Sequence, residues 1–119
     1  MKPKFLNLAK KLSYSSDHHS HKLGCVVAKG NKILGTGFNL LKTSPHSPHS
    51  FKFIHAEYMA VLNARFNVKG ATVYIFRQHK NGIPALSKPC PDCHRFLLEQ
   101  GVAEIIYTYE GSFVKEKIA

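Results

Sequence analysis

Two short clusters constrain this chain more than anything else in it: His55-Ala56-Glu57, and Pro89-Cys90-Pro91-Asp92-Cys93 further on. One imidazole and two thiolates can hold a zinc ion at three corners of a tetrahedron and leave the fourth open. A structural zinc site fills all four corners with protein ligands, so an open corner is the mark of a catalytic one. Glu57 stands two residues from His55, where it can face that corner without binding the metal. Alone, C-x-x-C fits a redox pair or half a zinc ribbon as well. The combination is what makes the pattern specific. The expected ligands are His55, Cys90 and Cys93, holding one zinc per chain, with Glu57 as the acid–base group.

The rest of the chain reads as alternating elements. Phe5, Leu8, Ala9 and Leu12 recur at helical spacing over residues 3–15, opposite Lys4, Asn7, Lys10 and Lys11. Residues 13–22 form a polar loop. Its His18, His19 and His21 read either as exposed loop residues or as a second metal cluster. Apolar runs at 23–28 and 33–38 flank Lys29-Gly30-Asn31-Lys32 and predict a β-hairpin. Cys25 lies within the first run, as a small core residue or as a fourth zinc ligand. Residues 39–53 are an irregular Pro/Ser/His loop.

A helix is expected from about His55, with Asn67 and Gly70 bracketing its end, apolar on most sides and therefore sandwiched. Thr72-Val73-Tyr74-Ile75-Phe76 predicts a strand covered on both faces. A polar loop over 79–88 leads to Pro91, well placed in the first turn of a helix ending near Gly101. Residues 103–109 and 112–118 predict two final strands, and the short turn between them requires an antiparallel pair.

At 119 residues the chain supports one domain, read as 1–119, with a single core. Polar residues interrupt the N-terminal run, which excludes a signal peptide, and no segment is long enough to span a bilayer. Three cysteines with two assigned to metal leave Cys25 unpaired, which suits a reducing cytoplasm. Seventeen Lys+Arg against seven Asp+Glu give a formal charge of +10. That is either a solubilising surface or an attraction for phosphate-bearing partners, a small nucleotide or a nucleic acid.

The H-x-E and P-C-x-x-C pair resembles the zinc-dependent cytidine deaminase superfamily over essentially the whole chain. The resemblance implies an α/β fold of three layers, α-β-α, around a mixed five-stranded sheet. It implies hydrolytic deamination at C4 of cytosine or C6 of adenine, with Glu57 moving the protons and ammonia leaving. Gly37-Phe38-Asn39 is similar to the G-[YFW]-N whose Asn meets the sugar. Ala56 lies where a backbone N–H holds the base carbonyl, and Lys88 stands near the mouth, placed to meet a phosphate. The family implies a homo-oligomer as well, with the basic N-terminal helix and the last strand as candidate surfaces.

Within the family, His55 and Asn39-Leu40-Leu41 count against the free-nucleoside branch, which uses Cys and Asn-x-Glu there. Lys22-Leu23-Gly24-Cys25-Val26-Val27 partly matches the strand pattern of deoxycytidylate deaminases, whose G-Y-N-G-x-P is half present. Lys88-Pro89-Cys90 departs from the Glu-Pro-Cys of tRNA adenosine deaminases. The reading is a deaminase of a small cytosine nucleotide. One alternative is a deaminase of a base in RNA or single-stranded DNA, stacked on Phe51, Phe53 or Tyr58. Another is a non-catalytic binding module whose zinc takes Cys25 or His94 as fourth ligand.

Overall fold

In the computed structural model, residues 3–17, 22–40, 55–64, 67–78, 89–109 and 111–118 are described. They form α1 (Pro3–Ser13), β1 (Lys22–Lys29), β2 (Lys32–Phe38), α2 (Ala56–Asn63), β3 (Thr72–Gln78), α3 (Pro91–Glu99), β4 (Glu104–Tyr109) and β5 (Ser112–Lys117). The five strands make one sheet in the order β2-β1-β3-β4-β5. β3 and β4 run parallel and the other neighbours antiparallel, including the expected β4–β5 pair.

The β1–β2 hairpin turns through Gly30 at φ 62°, a left-handed conformation that costs glycine nothing. The register slips between Val27 and Ala28, where Leu34 is the extra residue on β2. This bulge turns Leu34 into the core while Ile33 stays exposed.

Side chains alternate across the sheet, so each strand serves two cores. Cys25, Val27, Val73, Ile75, Ile105 and Tyr107 face α2 and α3. Val26, Ala28, Tyr74, Phe76 and Ile106 face α1. The three layers are as expected, and β3 is covered on both sides.

Glycines set how closely the helices lie. A Cβ at Gly24 would come within 1.9 Å of the Ala9 carbonyl oxygen on α1. On the other face, a Cβ at Gly35 would meet the Ala60 oxygen at 2.2 Å, and one at Gly37 the Ala56 oxygen at 2.5 Å. The backbones of α1 and α2 therefore rest directly on the sheet.

Two helix expectations are corrected. α1 buries Phe5, Leu6, Ala9 and Ser13, while Leu8 and Leu12 are only partly covered. Gly24 seats the helix at Ala9, with Phe5 and Leu6 turned inward and Leu8 and Leu12 at the margin of the same core. α2 is neither sandwiched nor as long as its apolar pattern: Leu62 is 55% exposed, and the helix stops at Asn63 with Ala64 in extended backbone. The Asn63 amide is turned back to donate to the Thr36 carbonyl at 2.9 Å. Leaving the helix there lets Val68 and Ala71 drop into the α2/α3-side core.

Candidate metal centre

α2 and α3 begin at the edge of the sheet where β3 and β4 end, and each starts on a predicted ligand. His55 is the N-cap of α2 and Cys90 the N-cap of α3. Pro91 fills the first position of α3, where its missing N–H costs no hydrogen bond. The Cys90 sulfur accepts the backbone N–H of Cys93 at 3.4 Å, a thiol standing in for the usual Ser or Asp cap. Cys93, one turn on, is fully buried and packs with Tyr58 and Phe96.

These starts bring three donor atoms together. His55 Nδ1 lies 3.1 Å from Cys93 Sγ and 3.8 Å from Cys90 Sγ. All three ligand atoms lie within 4.8 Å of one another. Tetrahedral zinc with ordinary Zn–N and Zn–S bonds needs N···S edges of about 3.6 Å, and the two observed edges bracket that value. The donor set, one nitrogen and two sulfurs, is the type zinc prefers. Among the described residues, neither Cys25 nor His94 joins the group. Cys25 is a core residue of β1, and burial raises its thiol pKa well above the ordinary value.

The electrostatics fit a cation too. Cys90 is pulled down to about 4 by hydrogen bonds from Cys93 and then His55. Cys93 is pushed up, first by its bond to Cys90 and then by burial. Two adjacent sulfurs joined by a hydrogen bond titrate as a pair, one drawn down and the other pushed up. At His55, burial pulls downward, but the Cys90 bond and the charge of Glu57 outweigh it and the pKa rises.

Glu57 sits in the first turn of α2, 4% exposed. Burial raises its pKa; its own backbone N–H and the His55 charge pull the other way and lose. A carboxyl held in this manner keeps a proton nearer neutrality than a surface glutamate does, as a group that must both take and give protons requires.

The other predicted residues divide. Ala56, the first residue of α2, is buried, and its N–H has no acceptor within the helix. Asn39 points inward instead of standing as an open loop residue. It is 1% exposed, its Oδ1 accepts the Leu23 N–H at 2.9 Å, and its own N–H reaches the Leu23 carbonyl at 3.3 Å. It extends the β1–β2 pairing by one rung.

Tyr58 does not offer a stacking surface. It is 4% exposed and lies behind the thiols, with its ring 5.2 Å from that of Phe96. Lys88, Phe51, Phe53 and the His18/His19/His21 loop lie outside the described residues.

What the sequence reading missed is the seat of α2. Gly37 and the Met59 sulfur, which accepts the Phe38 N–H at 3.4 Å, fix where His55 and Glu57 stand. The signal was present as Gly35-Thr36-Gly37, two glycines on one face of a strand.

A three-layer α-β-α fold that brings one imidazole and two thiols together beside a buried glutamate has the donor set of a zinc protein. The profile of one family, described as the cytidine and deoxycytidylate deaminase zinc-binding region, matches residues 1–109. The chain belongs to this family of zinc-dependent deaminases. It is 32% identical over 107 residues to the riboflavin biosynthesis protein RibD of Haemophilus influenzae, covering 85% of this chain and 23% of that protein. It therefore spans about a quarter of that relative's length. It is 26% identical to the deoxycytidylate deaminase of Mycobacterium phage D29, over 90% of this chain and 93% of the phage protein. Cytidine deaminase from Burkholderia pseudomallei shares the fold, at a TM-score of 0.73 and 17% identity over 99% of this chain and 93% of that one.

Proposed function

We propose that the chain, as one domain over residues 1–119, hydrolyses the amino group of a cytosine mononucleotide, dCMP or a close analogue, to give the uracil form and ammonia. The observation that carries this is the convergence of His55 Nδ1 and the Cys90 and Cys93 sulfurs beside the buried carboxyl of Glu57. The near full-length match to a phage deoxycytidylate deaminase supports the nucleotide. Zinc, when bound, supplies Lewis acidity that makes a water nucleophilic near neutral pH.

The remaining steps fall to the chain's own groups. His55, Cys90 and Cys93 hold the ion from three sides. Glu57 accepts the proton of the attacking water and passes it to the ring nitrogen beside C4. The carboxylate then takes the remaining proton of the added hydroxyl and gives it to the amino group as the C4–N bond breaks and C4=O forms, so the carboxylate is restored and ammonia leaves. The N–H of Ala56, which has no acceptor within its own helix, is assigned to the base carbonyl, with the positive end of α2 behind it. Asn39 fixes the rim against β1, next to the sugar. Lys88, immediately before Pro89, is assigned to the phosphate side of the mouth.

A second reading has its own observation. The 32% identity to the riboflavin biosynthesis protein RibD points to a riboflavin precursor as a competing substrate class. Of the aromatics read as a stacking surface for nucleic acid, Tyr58 is buried, and Phe51 and Phe53 lie outside the described residues. We extend the proposal to a homo-oligomer in the cytoplasm. Leu62, Leu98 and Phe113 supply exposed apolar surface, and the buried free thiol of Cys25 suits a reducing compartment.

The test is a substrate panel of cytosine and adenine nucleosides, mononucleotides, single-stranded oligomers and ribosylaminopyrimidine phosphates, read by mass spectrometry. Zinc-loaded protein is expected to convert the cytosine mononucleotide best. Glu57→Gln is expected to keep zinc and lose roughly 100- to 10,000-fold in turnover. Conversion of oligomers alone would sink the proposal.

A further inference from the structure

β2 and β5 are the two edges of the sheet, and they are finished differently. An edge strand leaves the N–H and C=O of every second residue pointing away from its neighbour. On β2, side chains of α2 occupy two of these groups. The Asn63 amide donates to the Thr36 carbonyl at 2.9 Å, and the Phe38 N–H donates to the Met59 sulfur at 3.4 Å. That edge is capped where α2 passes it.

Among the described residues, β5 has no such cap. Tyr109 pairs with Ser112 across the tight turn, and the Ile118 N–H donates to the Ala103 carbonyl at 3.0 Å. Both fix the same phase. The backbones of Ser112, Val114, Glu116 and Ile118 turn toward β4, and those of Phe113, Lys115 and Lys117 turn outward. All three outward residues are exposed.

Their side chains share one face. Lys115 stands opposite Ile106, which belongs to the α1-side core, so Phe113, Lys115 and Lys117 lie on the α1 side of the sheet. That side is basic. α1 carries Lys4, Lys10 and Lys11 and no acidic residue. Glu104, opposite Lys117, already accepts the Thr72 hydroxyl at 2.9 Å and pairs with Lys115 at 3.6 Å. Lys115 remains half-exposed in that pair, and an exposed pair of this kind contributes little.

We infer that the free edge of β5 is a strand-addition site, and that its partner is an extended acidic segment of another protein. The incoming strand bonds the outward backbone groups of Phe113, Lys115 and Lys117. It sets acidic side chains beside the two lysines and an apolar one beside Phe113. A second copy fits this edge poorly. In a symmetric antiparallel pair, the register that engages all three residues of each strand sets Lys115 against its own symmetry mate, and like charges directly opposite destabilise. Self-association is left to Leu62 on α2 and Leu98 on α3. A nucleic acid strand answers the charge but not the alternating donors and acceptors of a strand edge. The inference does not rest on the proposed substrate.

The experiment adds a short capped peptide, glutamate alternating with valine, to the isotope-labelled, zinc-loaded chain and follows backbone amide exchange by NMR. Exchange is expected to slow at Phe113, Lys115 and Lys117, and to stay unchanged at Val114 and Glu116, which already face β4. The same peptide N-methylated throughout keeps its charge, loses its strand bonds and is expected not to bind. Lys115→Gln combined with Lys117→Gln is expected to weaken the unmodified peptide about fivefold while the same amides are protected. Equal binding of the methylated peptide would reduce β5 to a charged surface and overturn the inference. So would absence of binding by the unmodified peptide, or tighter binding of a single-stranded oligonucleotide with those three amides still exchanging. Protection of the same amides in the chain alone, growing with its concentration, would overturn it in favour of a second copy.

Discussion

The two faces of the sheet are built differently. On one, a single helix presses Phe5, Leu6 and Ala9 onto Tyr74, Phe76 and Ile106, and the Phe5 and Tyr74 rings meet edge-on at 5.3 Å. That face is large, apolar and aromatic, the composition that gives burial the most free energy. On the other, two helices meet the strands through Ala56, Ala60, Gly35 and Gly37, and the buried set includes a carboxyl and two thiols. It also buries Ile75, Leu97, Val102 and Ile105, and its small residues seat the start of α2 against β2. One face stabilises; the other both stabilises and positions.

The largest test of this contrast is Cys93→Ala. It removes a fully buried ligand, and the expected result is loss of stoichiometric zinc by metal analysis together with activity down to background. The circular dichroism of the α1-side core should persist. Collapse of the whole fold would show that the two faces are not separable.

Gly37→Ala comes next. Its new methyl group meets the Ala56 carbonyl, so α2 must shift, and a displacement of about 1 Å at a catalytic group costs on the order of 100-fold in rate. Kinetics should show this in kcat with zinc retained.

The third test is pH. The bond between the two sulfurs draws the Cys90 thiol down to about 4 and pushes that of Cys93 up, so an ion that takes both as thiolates displaces a proton. Proton release on binding makes affinity rise with pH, by about tenfold per unit around neutrality. Competition titrations with a chelator should give that slope. A flat profile would mean that both sulfurs are already ionised.

Gly24→Ala should have the smallest effect on chemistry. Its methyl group meets the Ala9 carbonyl and pushes α1 outward. A loss of about 1–3 kcal/mol in denaturant unfolding is expected, with kcat per folded molecule unchanged.

Much of this division was legible in the sequence. His55, Glu57, Cys90 and Cys93 stand out because metal chemistry restricts both residue type and spacing. The strands stand out because β1, β3 and β4 are apolar on both faces. The orientation of the helices was not legible. In α1, Leu8 and Leu12 are as apolar as Leu6, and only the glycine opposite decides which side is pressed inward. In α2, an apolar pattern cannot tell a residue packed on the sheet, such as Ala60, from one left outside, such as Leu62. Asn39 was placed correctly at the end of β2, but whether its amide would turn to the rim or to Leu23 depends on a neighbouring strand. Periodicity describes one element at a time, and these choices belong to pairs.

The cap of α3 bears on how such a protein is assembled. Cys90 sulfur and Cys93 N–H close the first turn with protein atoms alone, and His94 N–H completes it on the Cys90 carbonyl at 2.8 Å. Backbone hydrogen bonds of the helix therefore share in holding the ligand positions, so a substitution that loosens the first turn of α3 should weaken metal binding without touching a ligand. The ion adds stability only by mass action, in proportion to the logarithm of its free concentration.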